Sequence, residues 1–194
     1  MKKFETLTTT ASCLDRDDID TDQIIPARYL RTTERTGLCQ NLFQDWRYDV
    51  DGKEKADFVL NRPEASGAEI LIGGRNFGCG SSREHAVWSL LDFPIQVVIA
   101  QDFAEIFKKN SLRNRLLPIT VNPQDHAACI KAAAARHPFT VDLQAQTVTA
   151  EGISFGFEVD PFARTCLLEG IDNLEYILKH ERQISEYESN RPGL

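Results

Sequence analysis

The chain has 194 residues and 42% hydrophobic content, enough for one domain that buries roughly 70% of the surface its unfolded form exposes. A formal net charge of −7 argues against non-specific nucleic-acid binding, so any anion site has to be a local basic pocket. No stretch approaches the ~20 apolar residues of a membrane span, and Lys2 and Lys3 are not followed by the apolar core of a secretory signal.

Residues 6–14 predict a β-rich start, followed by an acidic loop. An EF-hand built on Asp18, Asp20 and Asp22 fails, because the sixth position is Gln23 and the twelfth is Tyr29. Residues 28–55 hold Gly37, Gly52, scattered charges and aromatics. They predict a long excursion with short helices, mobile until something closes over it. Residues 69–72 and 95–100 read as buried parallel strands, and residues 82–93 between them as a helix ended by Pro94. Such a strand–helix–strand unit places its first turn at the carboxyl edge of the sheet, where open α/β sheets bind ligands.

Residues 102–112 predict another helix, with Phe103, Ile106 and Phe107 on one face. Residues 117–121 are a short strand, and residues 123–136 an alanine-rich helix with Pro123 in first position. Residues 139–159 alternate in three short strands around Gly152 and Gly156. Residues 161–187 make two helices broken near Gly170, with a charged, frayed tail over about 188–194. The result is one layered α/β domain, residues 1–194, with a mixed sheet and flanking helices.

The five cysteines (Cys13, Cys39, Cys79, Cys129 and Cys166) are odd in number and widely spaced, with no C-x-x-C pair. That pattern suits free thiols in a reducing cytosol. It argues against an iron–sulfur or zinc site built by this chain alone.

The most informative stretch is residues 73–86, Gly-Gly-Arg-Asn-Phe-Gly-Cys-Gly-Ser-Ser-Arg-Glu-His-Ala. Its glycines admit positive φ and close approach to a ligand, and the helix that follows offers N–H groups and a positive dipole end. Ser81 and Glu84 have capping-box spacing, which places Ser81 at the N-cap and Glu84 at N3. Arg83 in the first turn presents a planar fork suited to a carboxylate. A P-loop is excluded because Cys79 stands where Lys is required, and a dinucleotide fingerprint because Arg83 replaces the third Gly. The nucleophile elbow fails at Glu84. Together these residues suit an anion with a hydroxyl beside it, although spacing alone does not separate such a site from a plain strand-to-helix connection.

Gly78-Cys79-Gly80-Ser81-Ser82-Arg83-Glu84-His85-Ala86 resembles the signature of the swivelling β/β/α domain of the aconitase superfamily, in the stand-alone form of isopropylmalate isomerase small subunits. Asp20-Thr21-Asp22-Gln23-Ile24-Ile25-Pro26, Arg35-Thr36-Gly37, Leu42-Phe43-Gln44-Asp45-Trp46-Arg47 and Asp57-Phe58-Val59-Leu60-Asn61 agree in order. So do Asn110-Ser111 and Leu116-Leu117-Pro118, so the likeness runs from about residue 5 to 188. Arg115 departs from it, standing where many relatives have Gly.

The resemblance implies a stereospecific hydro-lyase that interconverts 2- and 3-isopropylmalate through an alkene, in leucine biosynthesis. It implies Ser81 as the base in alkoxide form, and Ser82 and Arg83 as holders of a substrate carboxylate. Asp22 matches an active-site aspartate that orients Ser81 or an arginine; an Asx-type turn before Pro26 is the competing role. Tyr29-Leu30-Arg31-Thr32 resembles a specificity loop in which Arg31 meets a carboxylate and Leu30 walls the isopropyl group. An exposed loop arginine is the alternative for Arg31. His85 fixes the helix entrance, and Cys79 is a small packing residue. Loss of hydroxide needs a Lewis acid, which in relatives is a [4Fe–4S] cluster on a separate large subunit. This chain is therefore expected to bind no cofactor itself and to work in the cytoplasm, assembled with that subunit. Homoaconitase, citraconate or 2-methylmalate hydratase, and a non-catalytic anion-binding module stay open.

Overall fold

Strands with apolar residues on both faces have to be covered on both sides, and this requirement organises the molecule. The computed structural model describes residues 3–190. Its strands β1 (Leu7–Thr9) and β2 (Ala11–Leu14) are followed by the short helices α1 (Thr21–Ile24) and α2 (Gln44–Arg47). Next come β3 (Ile70–Gly73), α3 (Glu84–Asp92), β4 (Val97–Ala100), α4 (Glu105–Asn114) and β5 (Leu117–Thr120). The chain continues through α5 (Pro123–Ala134), β6 (Phe139–Asp142), β7 (Thr147–Ala150) and β8 (Ile153–Gly156), and closes with α6 (Pro161–Glu169), α7 (Asn173–Leu178) and α8 (Glu181–Ser189).

Two four-stranded sheets form. One is parallel, in the order β2-β3-β4-β5, with Ile70 opposite Ala11 and Val97, and Leu117 opposite Val97. The other is antiparallel, in the order β1-β6-β7-β8. Pro118 sits on the edge strand β5, where a missing N–H interrupts no ladder on the open side.

The two-residue period of the parallel strands divides the core. Ile70, Ile72, Val97, Ile99, Leu117 and Ile119 pack toward the antiparallel sheet, against Phe139, Val141, Val148 and Leu167. Leu71, Val98 and Ala100 point the other way and meet Ile19, Ile24, Val87, Leu90 and Phe107. The chain is thus a layered β/β/α structure with flanking helices, as the resemblance implies, its parallel and antiparallel strands sorted into separate sheets.

Several boundaries differ from the sequence reading. The β-rich start is two strands that serve different sheets, with Thr10 between them. Helix α4 begins at Glu105 rather than residue 102; Phe103 instead makes a parallel bridge to Phe77. Ile106 is therefore not on the core face and is 54% exposed, while Phe107 is buried. The C-terminal stretch holds three helices, since Asp172 and Glu175 form a capping box that starts α7 and the chain turns again at His180. Gly170 ends α6 in the left-handed region, as its position suggests. Of the expected frayed tail, α8 runs to Ser189 and residues 191–194 lie outside those described.

The excursion 28–55 carries short helices, and it sinks Leu38, Leu42 and Phe43 into the core. Arg115 has φ +74, the left-handed cap of α4, a conformation that glycine adopts without steric cost.

Candidate active site

The turn after β3 is held by the segment that follows β2. Gly74 N–H donates to the Arg16 carbonyl at 2.9 Å, and Asp18 N–H to the Arg75 carbonyl at 2.8 Å. Gly78 N–H then donates to Ile19 O at 2.8 Å, and Thr21 N–H to Cys79 O at 2.8 Å. The two stretches run side by side and extend the β2–β3 pairing beyond the sheet.

Only glycine fits at two points of this turn. Gly78 has φ +76, and a Cβ there would stand 2.1 Å from the Phe107 ring. Gly80 has φ +87, and its Cβ would stand 2.2 Å from the Asp20 carboxylate. Both the backbone conformation and the space rule out a side chain.

The capping-box expectation for Ser81 is corrected. The Ser81 carbonyl accepts the Thr21 hydroxyl at 2.9 Å, whereas the Arg83 carbonyl accepts Ala86 N–H at 3.3 Å. Helix α3 accordingly starts at Glu84 with Arg83 as its N-cap, without a side-chain cap. Ser81 and Ser82 lie ahead of the helix as exposed residues of the turn.

Ser81, Ser82 and Arg83 line a cavity of about 260 Å³, closed on its other sides by Thr21, Ile106, Phe107 and Asn110. Arg83 is 16% exposed at its side chain and pairs with Asp22, which is 52% exposed. Asp22 also accepts the Ala27 amide at 3.0 Å. The hydrogen bond from Arg83 holds the Asp22 carboxyl below its ordinary value, against an opposing desolvation cost. Asp22 does not itself line the cavity; it reaches the site through Arg83. Leu30 packs on the core and Arg31 is exposed, and neither lines the cavity.

Sequence reasoning missed Asp20, Thr21, Phe107 and Asn110 as parts of this site. Asp20 had a readable signal: it caps α1, accepting Asp22 N–H at 2.6 Å, while its own N–H donates to Gln23 Oε1 at 3.0 Å. That is capping-box spacing with Gln at N3. Thr21 and Asn110 stand in stretches that carry the resemblance, but nothing local marks them, or Phe107, as walls of this cavity.

The donor chemistry of this chain does not fit an iron–sulfur cluster. Among the described residues no group of three His, Cys, Asp or Glu side chains converges to hold a metal. Burial pushes the Cys13 thiol up to about 11 and the Cys129 thiol up to about 12, and it raises Cys79, helped by the nearby Asp20 and Asp18 charges. Cluster ligation needs thiolates, which these surroundings disfavour.

Comparison with known proteins agrees with this architecture. Residues 1–124 match the aconitase C-terminal domain. A 3-isopropylmalate dehydratase small subunit of Roseiflexus sp. is 48% identical, covering 100% of this chain and 96% of that relative. The small subunit of Anaeromyxobacter dehalogenans is 46% identical, covering 98% of this chain and 100% of that relative. The crystal structure of a 3-isopropylmalate dehydratase from Methanocaldococcus jannaschii superposes with a TM-score of 0.68 at 28% identity, over 94% of this chain and 99% of that one. This chain therefore belongs to the family of 3-isopropylmalate dehydratase small subunits, on the aconitase C-terminal fold.

Proposed function

We propose that this chain is the small subunit of a hydro-lyase that interconverts 2-isopropylmalate and 3-isopropylmalate in leucine biosynthesis, with Ser81 as its base. The observation that carries the reading is one cavity wall formed by Ser81, Ser82 and Arg83, in a chain 48% identical to such a small subunit along its whole length.

The C–H bond to be broken lies beside a carboxylate and is weakly acidic, so it needs a strong base. A serine hydroxyl becomes one only where positive charge and helix N–H groups stabilise its alkoxide and water is kept away. Ser81 lines the same cavity as Arg83 and lies just ahead of the N-terminus of α3, and these two features are assigned to supply both. Ser81 Oγ takes the proton, and the alkene stays bound while water is returned to the neighbouring carbon. Arg83 grips a substrate carboxylate and Ser82 donates to it; Asp22 keeps the guanidinium aimed meanwhile. Arg31 and Leu30 meet the substrate from outside this cavity when the domain, carrying the segment 28–55 with it, swivels over its partner.

The Lewis acid for hydroxide departure is assigned to a [4Fe–4S] cluster of the large subunit, because the thiols among the described residues do not form a ligand set. The family name "small subunit" supports such a larger partner. A cytoplasmic setting fits five free cysteines, and the described helices include none long and apolar enough to cross a membrane.

The test is turnover of 2-isopropylmalate by the purified chain alone and after assembly with a cluster-loaded large subunit. Conversion is expected only in the assembly. Comparable conversion by the chain alone overturns the division of labour, and an assembly that turns over homocitrate or citraconate but not isopropylmalate overturns the substrate.

A further inference from the structure

Segment 31–37 has few ties to the rest of the molecule. Leu30 packs on the core before it and Leu38 is buried after it. The Cys39 amide is anchored to Asp92 Oδ2 at 2.7 Å. Between these ends, the segment meets α3 at two side chains. His85 Nε2 donates to the Thr32 carbonyl at 2.8 Å, and the Arg35 guanidinium lies 5.3 Å from the centre of the Trp88 ring. A carbonyl accepts but cannot donate, so Nε2 must carry the proton.

His85 and Trp88 form one ledge. Their rings are 4.6 Å apart, and Trp88 Nε1–H donates to Asn114 Oδ1 at 2.9 Å. Asn114 in turn donates to the Asn110 carbonyl at 3.0 Å and to Glu84 Oε1 at 3.3 Å. Asn110 lines the cavity. The ledge is thus fixed to the helices that build the site, and Thr32 follows directly on Leu30-Arg31.

We infer that His85 is a positioning residue for substrate selection: its bond to the Thr32 carbonyl, backed by the Arg35–Trp88 contact, clasps the segment that begins at Arg31 to the helix that Arg83 caps. Because the clasp uses a main-chain acceptor, the identities of residues 30 and 31 are free to set which alkyl group is accepted while their placement stays constant. His85 touches no reacting atom. Its effect is to keep Arg31 pre-placed, which lowers the ordering cost of substrate binding.

The kinetic half of this inference rests on the proposed function, so the test has two independent readouts. The first is limited tryptic cleavage after Arg31 in the folded chain, which follows the population of the opened segment. Loss of one buried-edge hydrogen bond corresponds to about a tenfold change, so His85→Ala is expected to speed this cleavage about tenfold. His85→Gln, which keeps a donor near the Nε2 position, restores most of the protection, and Arg35→Gln gives a smaller acceleration. The second readout is 2-isopropylmalate turnover in the assembled enzyme. There His85→Ala raises KM about tenfold, with the greater part of the kcat/KM loss in KM, and His85→Gln recovers it.

Unchanged cleavage in His85→Ala overturns the clasp. Faster cleavage with an unmoved KM overturns its role in substrate selection. If His85→Ala does not fold, Arg35→Gln against wild type decides by the same criteria. A wild-type assembly without turnover sinks the proposed function but leaves the cleavage result standing.

Discussion

The glycine turn 74–81 and the segment 31–37 flank the same helix but are held in different ways. The turn is laced by main-chain hydrogen bonds to residues 16–21, and at Gly78 and Gly80 it is wedged against Phe107 and Asp20 so tightly that no Cβ fits. The segment is held to α3 by the His85 bond and the Arg35–Trp88 contact. Main-chain lacing fixes atoms to fractions of an ångström and leaves little room for variation, which suits a group proposed to move a proton. Side-chain clasping leaves the loop's own residues replaceable, which suits a part proposed to tell one alkyl group from another.

Removing the wedge is the strongest way to break this comparison. Phe107 is buried against Gly78, with Phe77 at 5.4 Å between ring centres. Phe107→Ala is expected to cost about 3–5 kcal/mol of stability, as buried aromatic truncations do. The midpoint of denaturant unfolding measures this. A loss under about 1 kcal/mol, the size of a surface change, would mean that the ring does not support the turn.

A smaller effect sharpens the comparison just past the glycine turn, where Arg83 meets Asp22. Arg83 holds the Asp22 carboxyl below its usual value, so folding depresses this acid. Its contribution to stability is fully present above the ordinary carboxylate range and fades as pH falls through the folded value. Asp22→Asn is therefore expected to unfold slightly more easily than wild type at about pH 6, with the gap closing toward about pH 3. A gap of constant size across that range would show that the charge of Asp22 is not involved.

The sequence revealed most where its information was contiguous. Residues 78–86 carry their chemistry in one run, and the apolar runs of β3 and β4 announce a sheet covered on both faces. What long-range contacts decide was not legible. The S-x-x-E spacing misassigned the start of α3 because Thr21, sixty residues earlier, takes the Ser81 carbonyl. Ile106 looked like a core residue because its spacing from Phe103 suits a helix that does not yet exist there; pairing with Phe77 keeps Phe103 extended. At the C-terminus, the capping box of Asp172 and Glu175 was readable but the turn at His180 had no glycine or proline to mark it.

The site divides similarly. Ser81, Ser82 and Arg83 share the cavity as their adjacency suggests, and Asp22 joins them through an ion pair that no spacing rule contains. Leu30 and Arg31 stand outside the cavity, a separation that no local sequence pattern encodes.

The most direct measurement is kcat of the assembled enzyme carrying Ser81→Ala. If the Ser81 oxygen removes the proton, kcat falls between about a hundredfold and ten-thousandfold, the range expected of a lost general base, while the subunits still co-purify and bind substrate. Turnover close to wild type would contradict the account.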